Sequence, residues 1–339
     1  MTEGLINEPV ILIDVMNLVF RQHWALPNLQ HEGKHTGVQY GVLKTINQLR
    51  TNVSTRMIFV WDHGVPVPGA QRPRNWREAI LPAYKGNRKR DPDVHDIVVS
   101  QLKDLHDVIS CLGYSHVSVM GLEADDMIGL LSQAYPEVCI FSTDKDFYQL
   151  LDEAHVHVVV PKKDKKEFKK IFQSDVERAY ELPTSRFAEY LALGGDGCDN
   201  IKPLKGMGPK TAIKLILSGV NLNNTLDKQP KEFQEKYGHV WDFIQKSYYA
   251  ARIPISWIDP RIASCVKKGS SHQVGWPPNP NQRSVNVKAF ETWLAQRNML
   301  SLLSIRRSFY ENTPPQGQTK TCRPTSKHET EKSSNRMLI

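Results

Sequence analysis

Short continuous apolar runs alternate with stretches of helical spacing through the first half of this chain. Val10-Ile11-Leu12-Ile13 leads into Asp14, and Met57-Ile58-Phe59-Val60-Trp61 leads into Asp62. Val138-Cys139-Ile140-Phe141 leads, across Ser142-Thr143, into Asp144 and Asp146. Apolar runs of this kind, separated by helical patterns, read as strands buried on both faces of a parallel sheet. Helices are predicted around residues 37–49, over 97–112 (Ile97, Leu102, Leu105, Val108, Ile109, Leu112) and over 123–134. Further strands are predicted at 116–120 and 156–160, followed by a lysine-rich turn over 162–170. From about Asp175 the pattern turns helical, over 175–180, 184–193 and 233–251, with a terminal helical pair over 287–309.

Residues 64–90 are rich in Pro, Gly and Arg and long for a connection, which marks a functional insertion. A second loop holds Gly194, Gly195, Asp196, Gly197, Cys198, Asp199 and Asn200 and runs on to Gly206-Met207-Gly208-Pro209-Lys210. Residues 269–283 form a Gly/Pro/Ser-rich break, and the polar, aperiodic tail is predicted to be disordered. No repeat of fixed period is visible.

The chain has 339 residues, enough for a sizeable core and two domains with extensions. Hydrophobic residues at 40% and charged ones at 24% fit a soluble globular protein. No run of about eighteen apolar residues occurs, so no membrane span is expected. The acidic N-terminus lacks a secretory pattern, and cytoplasmic localisation is expected. Cys111, Cys139, Cys198, Cys265 and Cys322 are scattered, fitting reduced thiols and giving a zinc site little support. A net charge of +8 suggests a polyanionic partner, and the distribution sharpens this. Arg72, Arg74, Arg77, Lys85, Arg88, Lys89 and Arg90 lie close together with Glu78 as the only acid among them. A solvated basic loop would look the same, but a cationic segment beside an anionic pocket is more pointed.

Open α/β sheets bind ligands beyond the carboxyl ends of their strands. Three strands carrying acids to that edge would form one anionic pocket. Glu123, Asp125 and Asp126 at a helix start, and Asp196 and Asp199 in the Gly-rich loop, complete the set: Asp14, Asp62, Glu123, Asp125, Asp126, Asp144, Asp146, Asp196 and Asp199. Singly, each has a plain explanation in the helix dipole or a local turn. Together they do not, because two carboxylates about 4 Å apart repel by roughly 4 kcal/mol at an effective dielectric of 20. Several such pairs would exceed a domain's stability of about 5–15 kcal/mol. Either the acids are splayed into water or divalent cations neutralise them. All-oxygen ligation suits magnesium or manganese, and two such ions would serve an in-line phosphoryl displacement. His31 and His35 read as surface or packing residues.

Two cationic elements accompany the acids. In Tyr84-Lys85-Gly86-Asn87-Arg88, Lys85 and Arg88 are suited to stabilising charge on a scissile phosphate and Tyr84 to stacking on a base. In the Gly206–Lys210 stretch, glycines permit a tight turn, Pro209 fits a first helical position, and Lys210 stands beside a phosphate-binding helix N-terminus. Such a hairpin would contact DNA backbone without reading sequence.

On these residues the chain resembles the flap endonuclease family, which includes bacteriophage 5′-nucleases and the 5′-3′ exonuclease domain of bacterial DNA polymerase I. The resemblance runs from about Pro9 to Ser264. It is carried by Leu12-Ile13-Asp14, Val60-Trp61-Asp62, Tyr84–Arg88, Glu123-Ala124-Asp125-Asp126, Ser142-Thr143-Asp144-Lys145-Asp146, Asp196-Gly197-Cys198-Asp199-Asn200-Ile201 and Gly206–Lys210, in matching order and spacing. It implies an α/β fold: a PIN-like parallel-sheet nuclease domain over 9–175, with a basic helical arch inserted at about 64–95, then a helix–three-turn–helix domain over 176–268. A C-terminal helical extension (269–310) and the disordered tail (311–339) would follow. One metal would be held mainly by Asp14, Asp62, Glu123 and Asp125 with Asp126 assisting, the second mainly by Asp144, Asp146, Asp196 and Asp199. Lys85 and Arg88 would be catalytic, while Tyr84, Arg77, Gly206, Gly208 and Lys210 would contact DNA. Potassium would be bound through main-chain carbonyls near Leu193, Gly194, Lys202, Leu204 and Met207.

The resemblance further implies a monomeric 5′-3′ exonuclease and 5′-flap endonuclease using two Mg2+ or Mn2+. Its partners would be branched or nicked duplex DNA and RNA primers in RNA–DNA hybrids, with no membrane. No polymerase domain follows, so a free-standing, phage-encoded enzyme in the host cytoplasm is expected. The tail reads as an inert basic segment, the alternative being a recruiting site for a sliding clamp or single-strand-binding protein. Two rivals differ in class. A non-catalytic, structure-specific DNA binder gains nothing from stacked acids. A PIN-type single-strand ribonuclease leaves the Gly206–Lys210 hairpin unexplained.

Overall fold

The computed structural model describes residues 8–62, 75–88, 91–162, 167–262 and 276–311. Much of the expected arch, at 63–74 and 89–90, and the tail from 312 onward lie outside the described residues. Strand β1 (Val10–Asp14) stands in the middle of a six-stranded sheet. A small antiparallel hairpin of β2 (Gln30–His31) and β3 (Lys34–His35) sits apart from it and carries both histidines. The sheet is completed by β4 (Met57–Val60), β5 (Ser115–Val117), β6 (Val138–Phe141), β7 (Val156–Pro161) and β8 (Phe168–Ile171), in the order β5-β4-β1-β6-β7-β8. All pairings are parallel except β7 with β8. The stretch predicted as a lysine-rich turn therefore contains an edge strand, Phe168-Lys169-Lys170-Ile171.

Alternate residues of the central strands enter two different cores, which is why the runs are apolar throughout. On one face Ile11, Ile13, Met57, Phe59, Cys139 and Phe141 pack with helices α1 (Val15–Ala25), α2 (Gly37–Asn52) and, beyond the short α3 (Trp76–Ile80), α4 (Pro92–Cys111). On the other, Val10, Leu12, Ile58, Val60, Val138 and Ile140 pack with Met127, Ile128 and Leu131 of α5 (Ala124–Ser132). Each such side chain contributes about 1.5–3 kcal/mol by leaving water.

After β8 come α6 (Gln173–Tyr180), α7 (Phe187–Gly194), α8 (Pro209–Leu217), α9 (Lys231–Tyr237) and α10 (Trp241–Ala251). Leu193, Met207, Ala212, Ile216, Phe233, Ile244 and Tyr248 give these helices a core of their own. Among the described residues no helix is long and apolar enough to cross a membrane.

The terminal helical pair, α11 (Val287–Gln296) and α12 (Leu300–Ser304), is present but is not an appendage. Phe290, Leu294, Met299, Leu302 and Phe309 are buried in the same core as Ile11, Val42 and Leu105. The backbone before α11 is tied to the sheet and α4 by Met57 N–H to Pro280 O (3.1 Å), Arg283 N–H to Gly113 O (2.9 Å) and Asn286 N–H to Cys111 O (2.8 Å). Gly113 lies at φ +77°, and a Cβ there would stand 2.6 Å from Arg283 O, so this approach requires glycine. Buried Arg50 locks the arrangement, donating to Tyr114 Oη (2.8 Å), Gln282 Oε1 (2.7 Å) and Ser308 O (3.0 Å).

Candidate active site

Strand order reverses between β1 and β6, which opens a crevice at their carboxyl ends. Asp14 ends β1 and caps α1, accepting from Asn17 N–H at 3.1 Å and from Ser142 Oγ–H at 3.0 Å. Ser142, just past β6, also accepts from Asp144 N–H (3.1 Å), and Asp144 caps the next turn by accepting from Asp146 N–H (3.0 Å). One serine thus splices the ends of β1 and β6. Asp62, beyond β4, accepts from Ala124 N–H (2.7 Å) at the N-terminus of α5, where a carboxylate suits the helix dipole. Burial, then the charge of Asp62, pushes the Asp14 carboxyl up to about 7. Burial also raises Asp144 and, with the charges of Asp144, Asp199 and Asp196, holds Asp146 well above the usual carboxylate range.

The three acids of α5 surround a guanidinium. Arg77 of α3 is 1% exposed and pairs with Glu123 Oε2 (3.2 Å), Asp125 Oδ2 (3.1 Å) and Asp126 Oδ1 (2.8 Å). Asp126 Oδ2 accepts from Trp76 Nε1–H (3.0 Å) and from Glu123 N–H (2.9 Å). Burial opposes ionisation of Glu123, but Lys85 and Arg77 outweigh it and hold this carboxyl well below its ordinary value.

The basic segment folds onto the Gly-rich loop. Tyr84 Oη–H lies 2.8 Å from Glu123 Oε2 and 2.9 Å from Asp199 Oδ2, so one hydroxyl spans the two acid groups. Lys85 Nζ donates to Glu123 Oε1 (2.7 Å) and stands 3.7 Å from Asp199 Oδ1. Arg88 reaches Asp199 Oδ1 (3.1 Å) and Cys198 O (3.1 Å), and Asn87 reaches Gly197 O (2.9 Å). Asp196 is buried, accepts from Cys198 N–H (2.8 Å) and lies 3.8 Å from Lys145 Nζ.

The family described as 5′-3′ exonuclease, N-terminal resolvase-like domain matches residues 9–181, half of the chain. The chain belongs to the 5′-3′ exonuclease family. DNA polymerase I of Deinococcus radiodurans is 33% identical over 62% of this chain, which spans only 21% of that polymerase. A 5′-3′ exonuclease of Buchnera aphidicola is 30% identical over 64% of this chain and 73% of its own length. Among solved structures, a bacteriophage T5 flap endonuclease in complex with DNA and metal ions superposes with a TM-score of 0.57 at 18% identity, over 86% of this chain and all of its own. That likeness concerns the fold, and it agrees with the parallel sheet and helical region expected from the sequence.

Measured against expectation for this 5′-3′ exonuclease family member, all nine acids, Lys85 and Arg88 fall into one connected network. Two assignments are corrected. Arg77, expected on DNA, is buried because three carboxylates surround it. Tyr84, expected to stack on a base, is 3% exposed with its hydroxyl between two acids. The choice between acids splayed into water and acids neutralised by metal also omits a third solution. Arg77, Lys85, Arg88 and Lys145 stand among the acids, and among the described residues no three acidic, imidazole or thiol groups form a ready-made metal cage. The donor chemistry still fits a divalent ion. The ligands are oxygens, and Asp146 Oδ1 is buried beside three other carboxylates with no hydrogen-bond partner among the described residues. Sequence reasoning misses Trp76, Ser142 and Lys145 as site residues, although the last two lie inside the Ser142–Asp146 motif.

In the helical region, Gly206 (φ +75°) turns the chain into Gly208, Pro209 opens α8, and Lys210 is exposed at its N-terminus. Of the carbonyls expected to hold potassium, Leu193 O accepts from Leu204 N–H (3.4 Å) and Leu204 O from Met207 N–H (2.8 Å).

Proposed function

We propose that this family member is a divalent-metal-dependent 5′-3′ exonuclease and 5′-flap endonuclease acting on branched or nicked DNA and on RNA primers annealed to DNA. The carrying observation is that acids from five chain segments are linked through Ser142, Ala124, Tyr84, Lys85 and mutual charge beside the β1 and β6 ends. The acids at Asp14, Asp62 and 123–126 would hold one magnesium or manganese ion and those at 144–146 and 196–199 the other. Bound there, the ions supply activation of water and stabilisation of the leaving oxygen.

The chain's own residues do the rest. Lys85 lies between the two acid groups and is positioned to neutralise charge developing on a phosphate. Arg88, half exposed on Asp199, can leave that contact for a phosphate at little loss, since exposed pairs contribute about 0–1 kcal/mol. The exposed N-terminus of α8, with Lys210, would hold duplex backbone without reading bases, and potassium would sit near the Leu193–Met207 turn. Products would carry a 5′ phosphate and a 3′ hydroxyl.

The test is a 5′-flap DNA incubated with magnesium or with chelator, using wild type and Asp144→Asn. Cleavage should require the metal and vanish in the variant while flap binding persists. Chelator-resistant cleavage, or parental activity in Asp144→Asn, would refute the assignment.

A further inference from the structure

Arg77, expected on DNA, is instead a charged side chain only 1% exposed. Its guanidinium is shared by Glu123, Asp125 and Asp126 at 2.8–3.2 Å. Its Nε–H donates to Ala250 O at 2.9 Å, in the last turn of α10. Trp76 lies against it, ring centroid 4.5 Å from the guanidinium carbon, and on the same ring Arg261 packs at 5.2 Å. Arg261 in turn donates to Tyr249 O (3.0 Å) and Arg252 O (2.8 Å). Two arginines about one tryptophan therefore satisfy the terminal carbonyls of α10, where cations are favoured. One of the two also carries the acids of α5.

We propose that Arg77 is a positioning residue: a built-in cation that keeps the Glu123–Asp125–Asp126 carboxylates assembled and fixes them to the end of α10, so that the catalytic edge and the helical region share one joint. This deepens the reading above, because these carboxylates are the ones assigned to a metal. Packing alone does not account for Arg77. An apolar chain would fill its volume, but would leave three carboxylates around an uncharged point, and removing one partner from a buried ionic group is strongly destabilising.

The test is thermal unfolding in chelator of wild type, Arg77→Met, Arg77→Lys and the double variant Arg77→Met/Asp126→Asn. In the double variant the amide oxygen replacing the Asp126 carboxylate can still accept from Trp76 Nε1–H and Glu123 N–H, while one negative charge is removed. Arg77→Met should lower the unfolding midpoint by roughly 10 °C. Arg77→Lys and the double variant should each recover at least half of that loss. Recovery by the second substitution is a charge effect that a packing role would not produce, since two core lesions add or worsen. A double variant at or below Arg77→Met, or a Lys variant no better than Met, would overturn the proposal. If Arg77→Met does not fold, folding of the double variant supports the proposal and its failure refutes it. No metal is present in these measurements, so they stand apart from the magnesium-dependent cleavage that tests the function.

Discussion

Replacing Phe290 by Ala tests whether the C-terminal segment is part of the catalytic body. Phe290 is fully enclosed on α11, whose first turn is capped by Asn286 (Ala289 N–H to Oδ1, 3.1 Å), and its ring meets Phe309 at 5.1 Å and 60°. It shares one core with side chains of α2, α4 and the sheet face opposite α5, and α11 itself packs against α4. Truncating a core Phe to Ala costs about 3–5 kcal/mol, the lost ring pair accounting for about 0.5–1.5 kcal/mol of it. For a chain of this size each kcal/mol moves the midpoint by about 2–4 °C, so a fall of roughly 6–20 °C is expected. The assay is unfolding followed by near-UV circular dichroism, with flap cleavage measured well below the midpoint. The whole transition should move as one, while cleavage at low temperature stays close to wild type because this ring packs on the sheet face opposite α5. A shift under about 1 kcal/mol, or a new low-temperature transition preceding an unshifted main one, would show that residues 276–311 are appended and not built in.

Three further outcomes follow from the site and the sheet. Tyr84→Phe removes the single O–H that Glu123 and Asp199 share, and should lower stability in chelator by about 1–3 kcal/mol in urea unfolding; equal midpoints would refute the bridging role. Asp146→Asn removes a carboxyl held far above its ordinary range, so the metal-free protein should gain at least about 1 kcal/mol at neutral pH while cleavage is lost; a destabilised variant would contradict this. His157 is buried against Cys139 and Phe172, and burial, then Lys170, lowers it from 6.5 to about 4. Because the unfolded chain takes up that proton first, stability is complete above about pH 6.5 and falls as pH drops toward 4, by on the order of 3 kcal/mol. His157→Phe should flatten that acid limb, and superimposable acid-unfolding curves would refute the assignment.

How legible each part is depends on whether its cause is local. The runs ending at Asp14, Asp62 and Asp144 become β1, β4 and β6 because a strand buried on both faces must be apolar at every position. Phe168–Ile171 reads as a turn because its two lysines belong to an edge strand, where charge is tolerated. The apolar spacing of Phe290 and Leu294 predicts a helix with one buried face, but periodicity says nothing of what lies opposite. That partner, the α2–α4 face more than 150 residues earlier, appears only in three dimensions. Arg77 is misassigned for a related reason. Its neighbours Arg72, Arg74, Lys85 and Arg88 give the segment a basic character, whereas its burial is set by acids 46 to 49 positions away. Trp76, beside it, is the available signal, since a large ring next to a charge often marks a covered one.

The distribution of charge explains why this edge tolerates nine acids and where it remains uncompensated. If every carboxyl were ionised, the four cations paired with them among the described residues would leave five negative charges, nine less four. The cations are unevenly spread. Arg77 and Lys85 serve the α5 acids, and Lys85 and Arg88 serve Asp199. Asp14, Asp144 and Asp146 form no ion pair among the described residues, and burial and like charge push all three upward. Asp125 is pushed well above its ordinary range too, by burial and by Asp126 and Glu123, but with Arg77 opposing the rise. In the half of the site built on the β1 and β6 ends these carboxyls thus meet like charge without a paired cation among the described residues, and a divalent charge would relieve that repulsion directly. The α5 half carries cations in the chain, which hold Glu123 low while burial still raises Asp125, so an ion entering there would compete with Arg77 and Lys85. The two halves of one acidic edge are thus electrostatically unequal before any ion binds, and that inequality follows from which chain segment supplied a cation.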